Sequence, residues 1–238
     1  MVLAAGRGER MRPLTDTCPK PLLPVRGKLL MQWTLQAMAA GGCQSVVVNT
    51  GWLGEEIEQQ IGLKPLLDER YQLSIAYSSE SREAGGALET LGGIVRALPL
   101  LDEVFWLAAG DVFAPDFCFD ESVRARFAAS DALAHLWLVP NPPQHPEGDF
   151  GMDAAGRAIS PAPGDTSPRF TYSTIGLYRA ALFTPPYCNI AAANPEGIAA
   201  PLAPLLRTAM ADGRVTAELY RGAWTDVGTP KRLAALNA

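Results

Sequence analysis

Three arginines, Arg7, Arg10 and Arg12, are interleaved with and follow two glycines, Gly6 and Gly8, in the run "LAAGRGERMRPLT" from Leu3 to Thr15. Gly6 and Gly8 permit positive φ and leave backbone N–H groups bare, and bare amides beside cationic side chains form an anion cradle. The same run also reads as an ordinary strand-to-helix turn with solvated arginines. Two phosphate-loop patterns are excluded. A dinucleotide G-x-G-x-x-G would need glycine where Met11 stands. A Walker A loop would need an earlier glycine and a Ser or Thr around Gly27-Lys28, and neither is present. Downstream, Pro13, Pro19, Pro21 and Pro24 each fix φ and remove a donor, and Lys20 lies between two of them. A lysine on a stiff segment can be aimed at a ligand, where one on a flexible loop is mostly solvated.

Two acids complete a phosphate chemistry. "LAAGD" puts Asp111 at the end of one apolar run, and "WTDVGT" puts Asp226 at the end of another. A carboxylate at a strand end beside a phosphate site is a natural Mg²⁺ ligand. Either acid in isolation reads equally as a turn or helix-cap aspartate. The chain has no G-x-S-x-G, no H-E-x-x-H and only two histidines, so nothing points to a covalent nucleophile or a zinc hydrolase. Positioning and charge neutralisation would have to carry the reaction.

The elements around these residues alternate. "MVLAA", "SVVVNT", "LSIAYS" and "VFWLAAGD" read as strands. Between them, "LLMQWTLQAMAAGG" reads as a helix with Leu30, Trp33, Leu35 and Met38 near one face and Gly41 as its stop. "GEEIEQQIG" and "ALETLGGIVRALPLL" read as further helices. This order predicts one three-layer α/β domain, with a mixed, mainly parallel sheet and helices on both faces. Ligands bind such sheets beyond the carboxyl ends of the strands, where the Arg-rich loop and Asp111 both fall. The second half is less regular. It offers strands at "ALAHLWLVPN", "FTYSTIGLY" and "VTAELYRG", a hairpin turning near Ala154-Ala155-Gly156, and a helix "LAPLLRTAMADG" closed by Gly213. The last helix has Thr229 as N-cap and Pro230 at its first position.

Composition sets the limits. The 238 residues are 48% hydrophobic and 19% charged, enough for a sizeable core, and the net charge of −5 argues against a general nucleic-acid binder. No apolar run approaches the roughly 18 residues needed to span a bilayer. The four cysteines, Cys18, Cys43, Cys118 and Cys188, are scattered without a C-x-x-C, which fits a reducing cytoplasm. The oligomeric state is left open, and a monomer is compatible with the sequence.

The stretch from Leu3 to Val25 resembles the signature of the sugar-1-phosphate nucleotidyltransferases (NDP-sugar pyrophosphorylases), L-A-A-G-x-G-x-R-[LM]-x-P-L-T followed by P-K-P-L. The chain is most similar to the short members that use UTP and N-acetylmuramate 1-phosphate in cell-wall recycling, and the likeness runs nearly end to end. It implies a Rossmann-like nucleotidyltransferase fold over 1–238, with a nucleotide part at about 1–111 and a sugar part at about 112–238. It implies that Leu3, Ala4, Ala5, Gly6 and Gly8 face the nucleotide, that Arg10 neutralises the departing pyrophosphate, and that Lys20 lies near the α-phosphate. Asp111 and Asp226 would hold Mg²⁺, and Thr90 and Gly92 would form the base-binding turn. "NPPQHPEGDF" would bring Asn141, Gly148 and Asp149 to the sugar, and "YSTIGLY" would bring Ser173 and Thr174. Simple strand alternation would instead put Tyr172 and Thr174 on one face and Ser173 on the other. His145 reads as a loop histidine or as a ligand contact.

The chain also departs from the pattern. No acidic-Lys-Pro motif occurs near 155–165, which leaves Arg169 as the candidate cation for the acceptor. Leu91 stands where the short members have a small residue, Ala109 replaces a common Asn, and the segment between Tyr77 and Leu88 is longer than usual. Only Met1 and Val2 precede L-A-A-G, which raises the reading of a start upstream. The base and the acceptor stay open: another hexose 1-phosphate, GTP or CTP, a phosphocholine-type acceptor, or a non-catalytic nucleotide-sensing subunit.

Overall fold

The computed structural model describes residues 1–63, 73–80, 87–162 and 164–238. The lengthened segment after Tyr77 falls largely at 81–86, outside the described residues, as does Pro163 in the second Pro-rich patch. The strands are β1 (Val2–Ala4), β2 (Pro24–Val25), β3 (Lys28–Leu29), β4 (Ser45–Thr50), β5 (Ser74–Ser79), β6 (Val104–Ala109) and β7 (Val112–Phe113). They continue with β8 (Ala134–Val139), β9 (Gly151–Met152), β10 (Ala158–Ile159), β11 (Thr171–Arg179), β12 (Val215–Leu219) and β13 (Thr225–Asp226). The helices are α1 (Leu30–Ala40), α2 (Gly54–Ile61), α3 (Glu89–Ala97), α4 (Glu121–Ala128), α5 (Leu202–Ala211) and α6 (Pro230–Asn237).

Seven strands form the central sheet in the order β12-β8-β11-β6-β1-β4-β5. All neighbours are parallel except β11, which runs antiparallel to both β6 and β8. The sheet is therefore mixed and mainly parallel, as the alternation predicts. Its strands are continuous apolar runs because both faces are covered. In β6, Phe105 and Leu107 face the layer of α3 and α5, while Trp106 and Ala108 face the layer of α1, α2 and α4. That split is the period-two alternation of a strand.

Each helix is held by the face its sequence supplies. In α1, Leu30, Met31, Leu35 and Met38 are fully buried, each contributing at most about 1.5–3 kcal/mol of transfer free energy. Trp33 is only half-buried, and its indole N–H donates to the Val25 carbonyl at 3.1 Å. Gly41 ends the helix where a side chain would overlap the Phe119 backbone. The β9–β10 hairpin turns at Gly156 (φ +77°), with the Asp153 carboxylate accepting from the Ala155 and Arg157 amides at 2.9 Å. In α6 the Thr229 hydroxyl caps the Arg232 amide at 3.3 Å. Among the described residues, no helix is long and apolar enough to cross a membrane.

Candidate active site

The opening loop leaves β1 at the carboxyl edge of the sheet and is braced from within. Thr15 is fully buried, and its hydroxyl donates to the Gly8 carbonyl at 2.9 Å. Gly8 sits at φ +66°, where a Cβ would press on the Thr15 methyl at 3.1 Å. Arg7 donates to the Thr15 carbonyl and to Asp16, each at 2.7 Å, and stacks 3.8 Å over the Trp52 ring. Trp52 in turn donates its indole N–H to the Thr15 carbonyl at 2.9 Å. Arg12 pairs with Asp16 at 2.8 Å. The Arg7 guanidinium, then Arg12, holds the Asp16 carboxyl below its ordinary range. Two of the three arginines thus brace the loop. Arg10 is exposed and makes no hydrogen bond or ion pair with the described residues.

A cavity of about 310 Å³ opens beside this loop. Leu3, Ala4, Ala5, Gly6, Lys20, Asp111 and Thr174 are among the residues that line it. Lys20 begins a short 3₁₀ turn that Pro19 precedes and Pro21 continues, and its ammonium pairs with the Asp111 carboxylate. Gly6 has open space where a Cβ would stand, so its backbone faces the cavity unshielded.

Asp226 reaches the same edge from 115 residues downstream. The two-residue antiparallel ladder of β7 and β13 pairs Asp226 with Val112, and the Val227 amide donates to the Asp111 carbonyl at 2.9 Å. The Asp226 carboxylate accepts from the Arg232 guanidinium and, at 2.8 Å, from the Gln144 amide. Gly228 makes room for this arrangement, since a Cβ there would lie 2.6 Å from the Arg232 guanidinium.

The start of α3 is built differently from what the motif implies. Thr90 lines the cavity, as does Glu89, which has φ +54°. Gly92 does not. A Cβ there would overlap the Ile198 carbonyl, and the Leu91 and Gly92 amides both donate to the Ala200 carbonyl at 2.9 and 3.3 Å. The Gly92 amide is therefore taken by the protein itself, which corrects its assignment to base reading. Leu91 is 7% exposed and packs into the core shared by α3 and α5, so its bulk does not enter the first cavity.

A second cavity of about 470 Å³ adjoins the first and shares Leu3, Glu89, Thr90 and Thr174 with it. Its walls are mostly apolar, with Leu107, Phe150, Leu202 and Leu206, and Asp149 and Tyr172 add the polar groups. Thr174, at φ +62°, sits in the register shift of β11 between Tyr172 and Gly176 and faces both cavities. Ser173 is fully buried, and its hydroxyl donates to the Trp137 carbonyl at 2.7 Å, so it holds the bulge instead of lining the pocket. The Asn141 side chain donates to the Pro146 and Arg169 carbonyls at 3.0 Å and accepts from Thr171 at 3.0 Å. Gly148 (φ +64°) packs on it. Both shape the loop behind Asp149. Arg169 lies in a separate hollow with Asn141, Glu147 and Asp165, and donates to the Pro161 and Ala162 carbonyls at 2.9 and 3.2 Å. Of the expected acceptor-side residues, only Asp149 and Thr174 reach the cleft.

Sequence reasoning missed Asn49 and Glu80, which line the first cavity while being 3% and 2% exposed. The Glu80 carboxylate accepts from Asn49 at 2.6 Å and from the Leu88 amide at 3.0 Å, and the Asn49 carbonyl oxygen accepts from the Ala4 amide at 2.7 Å. Burial pushes the Glu80 carboxyl up, against the pull of those two donors. An Asn within an apolar strand and a Glu just after another were the available signal. A polar group buried at a strand's carboxyl end needs a partner or a ligand.

The comparisons with known proteins agree with this geometry. The family model described as nucleotidyl transferase matches residues 1–238. An N-acetylmuramate alpha-1-phosphate uridylyltransferase of Neisseria meningitidis is 42% identical over 100% of this chain and 96% of its own length. One of Caulobacter vibrioides is 32% identical over 100% and 95%. A Bacillus anthracis crystal structure, assigned as a glucose-1-phosphate thymidylyltransferase and solved with sucrose, superposes with a TM-score of 0.73 at 18% identity. It covers 99% of this chain and 92% of that one, which speaks for the fold alone. A full-length family match, full-length relatives, and a glycine loop, lysine and paired acids at one sheet edge lead to one conclusion: this chain belongs to the nucleotidyl transferase family.

Proposed function

We propose that the protein transfers a uridylyl group from UTP to N-acetylmuramate 1-phosphate, giving the UDP-sugar and pyrophosphate. The observation that carries this reading is the meeting of the bare Gly6 backbone, Lys20 and Asp111 at one cavity, with a second cavity adjoining it and the strand of Asp226 paired beside Asp111. The acceptor phosphate attacks the nucleotide α-phosphorus in line, and the α–β phosphoanhydride bond breaks as pyrophosphate leaves. Lys20 moves from Asp111 to the α-phosphate. Arg10, without a partner among the described residues, takes the pyrophosphate, whose charge grows in the transition state. Two hard carboxylate oxygens on adjoining strand ends suit Mg²⁺ completed by phosphate oxygens, so Asp111 and Asp226 would be its protein ligands. Bound there, the ion would offset phosphate charge.

Uracil is supported by the uridylyltransferase relatives and by Glu80, which lines the first cavity while also accepting from Asn49 and the Leu88 amide. A carboxylate beside the base accepts from the uracil N3–H, where cytosine carries a lone pair. The apolar second cavity suits the acetyl and lactyl methyl groups of the acceptor. The Arg207 guanidinium, 5.9 Å above the Phe150 ring, takes over from Arg169 as the cation for the lactyl carboxylate. A cytoplasmic setting goes with this reading, since all four cysteines are unpaired.

The test is pyrophosphate release with Mg²⁺, four nucleoside triphosphates and a panel of phosphorylated acceptors. UTP with N-acetylmuramate 1-phosphate should be fastest. A preference for GTP, or binding without turnover, would discard the assignment. Arg207→Ala should weaken N-acetylmuramate 1-phosphate more than N-acetylglucosamine 1-phosphate by roughly tenfold, the scale of a charge-assisted hydrogen bond.

A further inference from the structure

The Pro-rich loop between β8 and β9 carries two adjacent side chains aimed at two different acids. Gln144 donates to Asp226 Oδ1 at 2.8 Å. Asp226 Oδ1 also accepts from Arg232, while Oδ2 receives no hydrogen bond from the described residues. His145 Nε2 lies 3.0 Å from Asp149 Oδ1, and Asp149 Oδ2 accepts from the Tyr172 amide at 2.8 Å. A ring nitrogen facing a carboxylate must carry the proton, so His145 is the donor there. Pro142, Pro143 and Pro146 fix φ around the pair, and the His145 amide donates to the Pro142 carbonyl at 2.9 Å. The loop is thus a stiff bracket with one arm on each acid.

We propose that Gln144 and His145 are positioning residues with separate tasks. Gln144 turns Asp226 so that Oδ2 is free for the divalent cation. His145 fixes Asp149 at the wall of the second cavity, where the acceptor sugar lies. The inference rests on the functional reading above, and it explains why a neutral amide and an imidazole stand side by side. A carboxylate that must ligate is oriented by donors on its other oxygen, and loss of such a donor weakens metal binding by about 10–100-fold.

Four variants test it: Asp226→Ala, Gln144→Leu, His145→Ala and His145→Gln. Mn²⁺ binding without nucleotide is read by electron paramagnetic resonance. The acceptor KM is read at saturating Mg²⁺, with the sugar 1-phosphate that the wild type uses best. Gln144→Leu should raise the Mn²⁺ Kd about tenfold and leave the acceptor KM in place. His145→Ala should raise the acceptor KM about tenfold with unchanged Mn²⁺ binding, and His145→Gln, which keeps a donor, should restore most of it. A loop that merely holds the fold together would move both readings in both variants, and that result overturns the proposal. So does a Gln144→Leu protein that binds Mn²⁺ as the wild type does while Asp226→Ala does not. If Asp226→Ala itself binds Mn²⁺ normally, the metal role of Asp226 fails first and the proposal with it.

Discussion

The opening loop and the start of α3 each carry a glycine that the family resemblance singles out, Gly6 and Gly92, yet the structure uses them for opposite purposes. Around Gly6 there is empty space, and the backbone faces the cavity. Around Gly92 and Gly93 there is none, since a Cβ would overlap the Ile198 carbonyl or the Glu80 carboxylate. The first region stays bare for a ligand and is stiffened from behind by Arg7, Thr15, Asp16 and Trp52. The second is sealed by the segment that includes Asn194, whose side chain bonds Gly92 and Ile198. A glycine in a motif can therefore mean access or close packing. The three-dimensional neighbour decides which.

The two regions should respond differently to substitution. The largest effect belongs to the cleft: Asp111→Ala should lower kcat about 10²-fold or more with little change in Tm, as for loss of a preorganised electrostatic group. Near-normal turnover at saturating Mg²⁺ would remove Asp111 from the mechanism. Gly92→Ala should act the other way, with overpacking that costs about 1–3 kcal/mol and lowers Tm by several degrees, while KM for the nucleotide holds at low temperature. An unchanged melting curve would mean that residues near Ile198 yield easily and the seal is weaker than described.

Gly6→Ala separates the regions most directly. Stability should stay within about 0.5 kcal/mol, because the new methyl meets nothing, but KM for UTP should rise roughly tenfold as it screens an amide from phosphate. The smallest effect is expected at Asp16. Its carboxyl pKa is depressed, so its bracing is present above the unfolded value and fades as pH falls through the folded one. Asp16→Asn should mimic low pH and raise KM for UTP by at most about fivefold at neutral pH, since the pairs are partly open to solvent. If the KM rise at acid pH persists unchanged in Asp16→Asn, it belongs to another group.

Much of the fold was legible because local rules and tertiary demands coincide. The buried strands β4 and β6 are apolar on both faces, α1 stops at a glycine, and Thr229-Pro230 opens α6. Lys20 and Asp111 were legible as cleft residues because the prolines and the strand end constrain their placement. Strand alternation separated Ser173 from Tyr172 and Thr174, and the structure keeps that split; what the motif could not show is that the Ser173 hydroxyl is taken by the Trp137 carbonyl. Arg169 was misplaced for a similar reason: loop cations take whatever carbonyls the turn presents, and no periodicity announces which.

The sequence alone determined the alternating α/β order, the two apolar faces of the sheet and the glycine-proline loop with its lysine. These follow from residue spacing and backbone chemistry within a few turns of chain. Only the tertiary structure decided that Asp226 stands beside Asp111, that Glu80 and Asn49 line the first cavity, and that Leu91 turns into the core. It also decided that Arg7 and Arg12 brace the loop while Arg10 has no partner among the described residues. The first three outcomes depend on which distant segments meet, and pairing across 115 residues is set by the packing of the whole sheet, which no local pattern encodes.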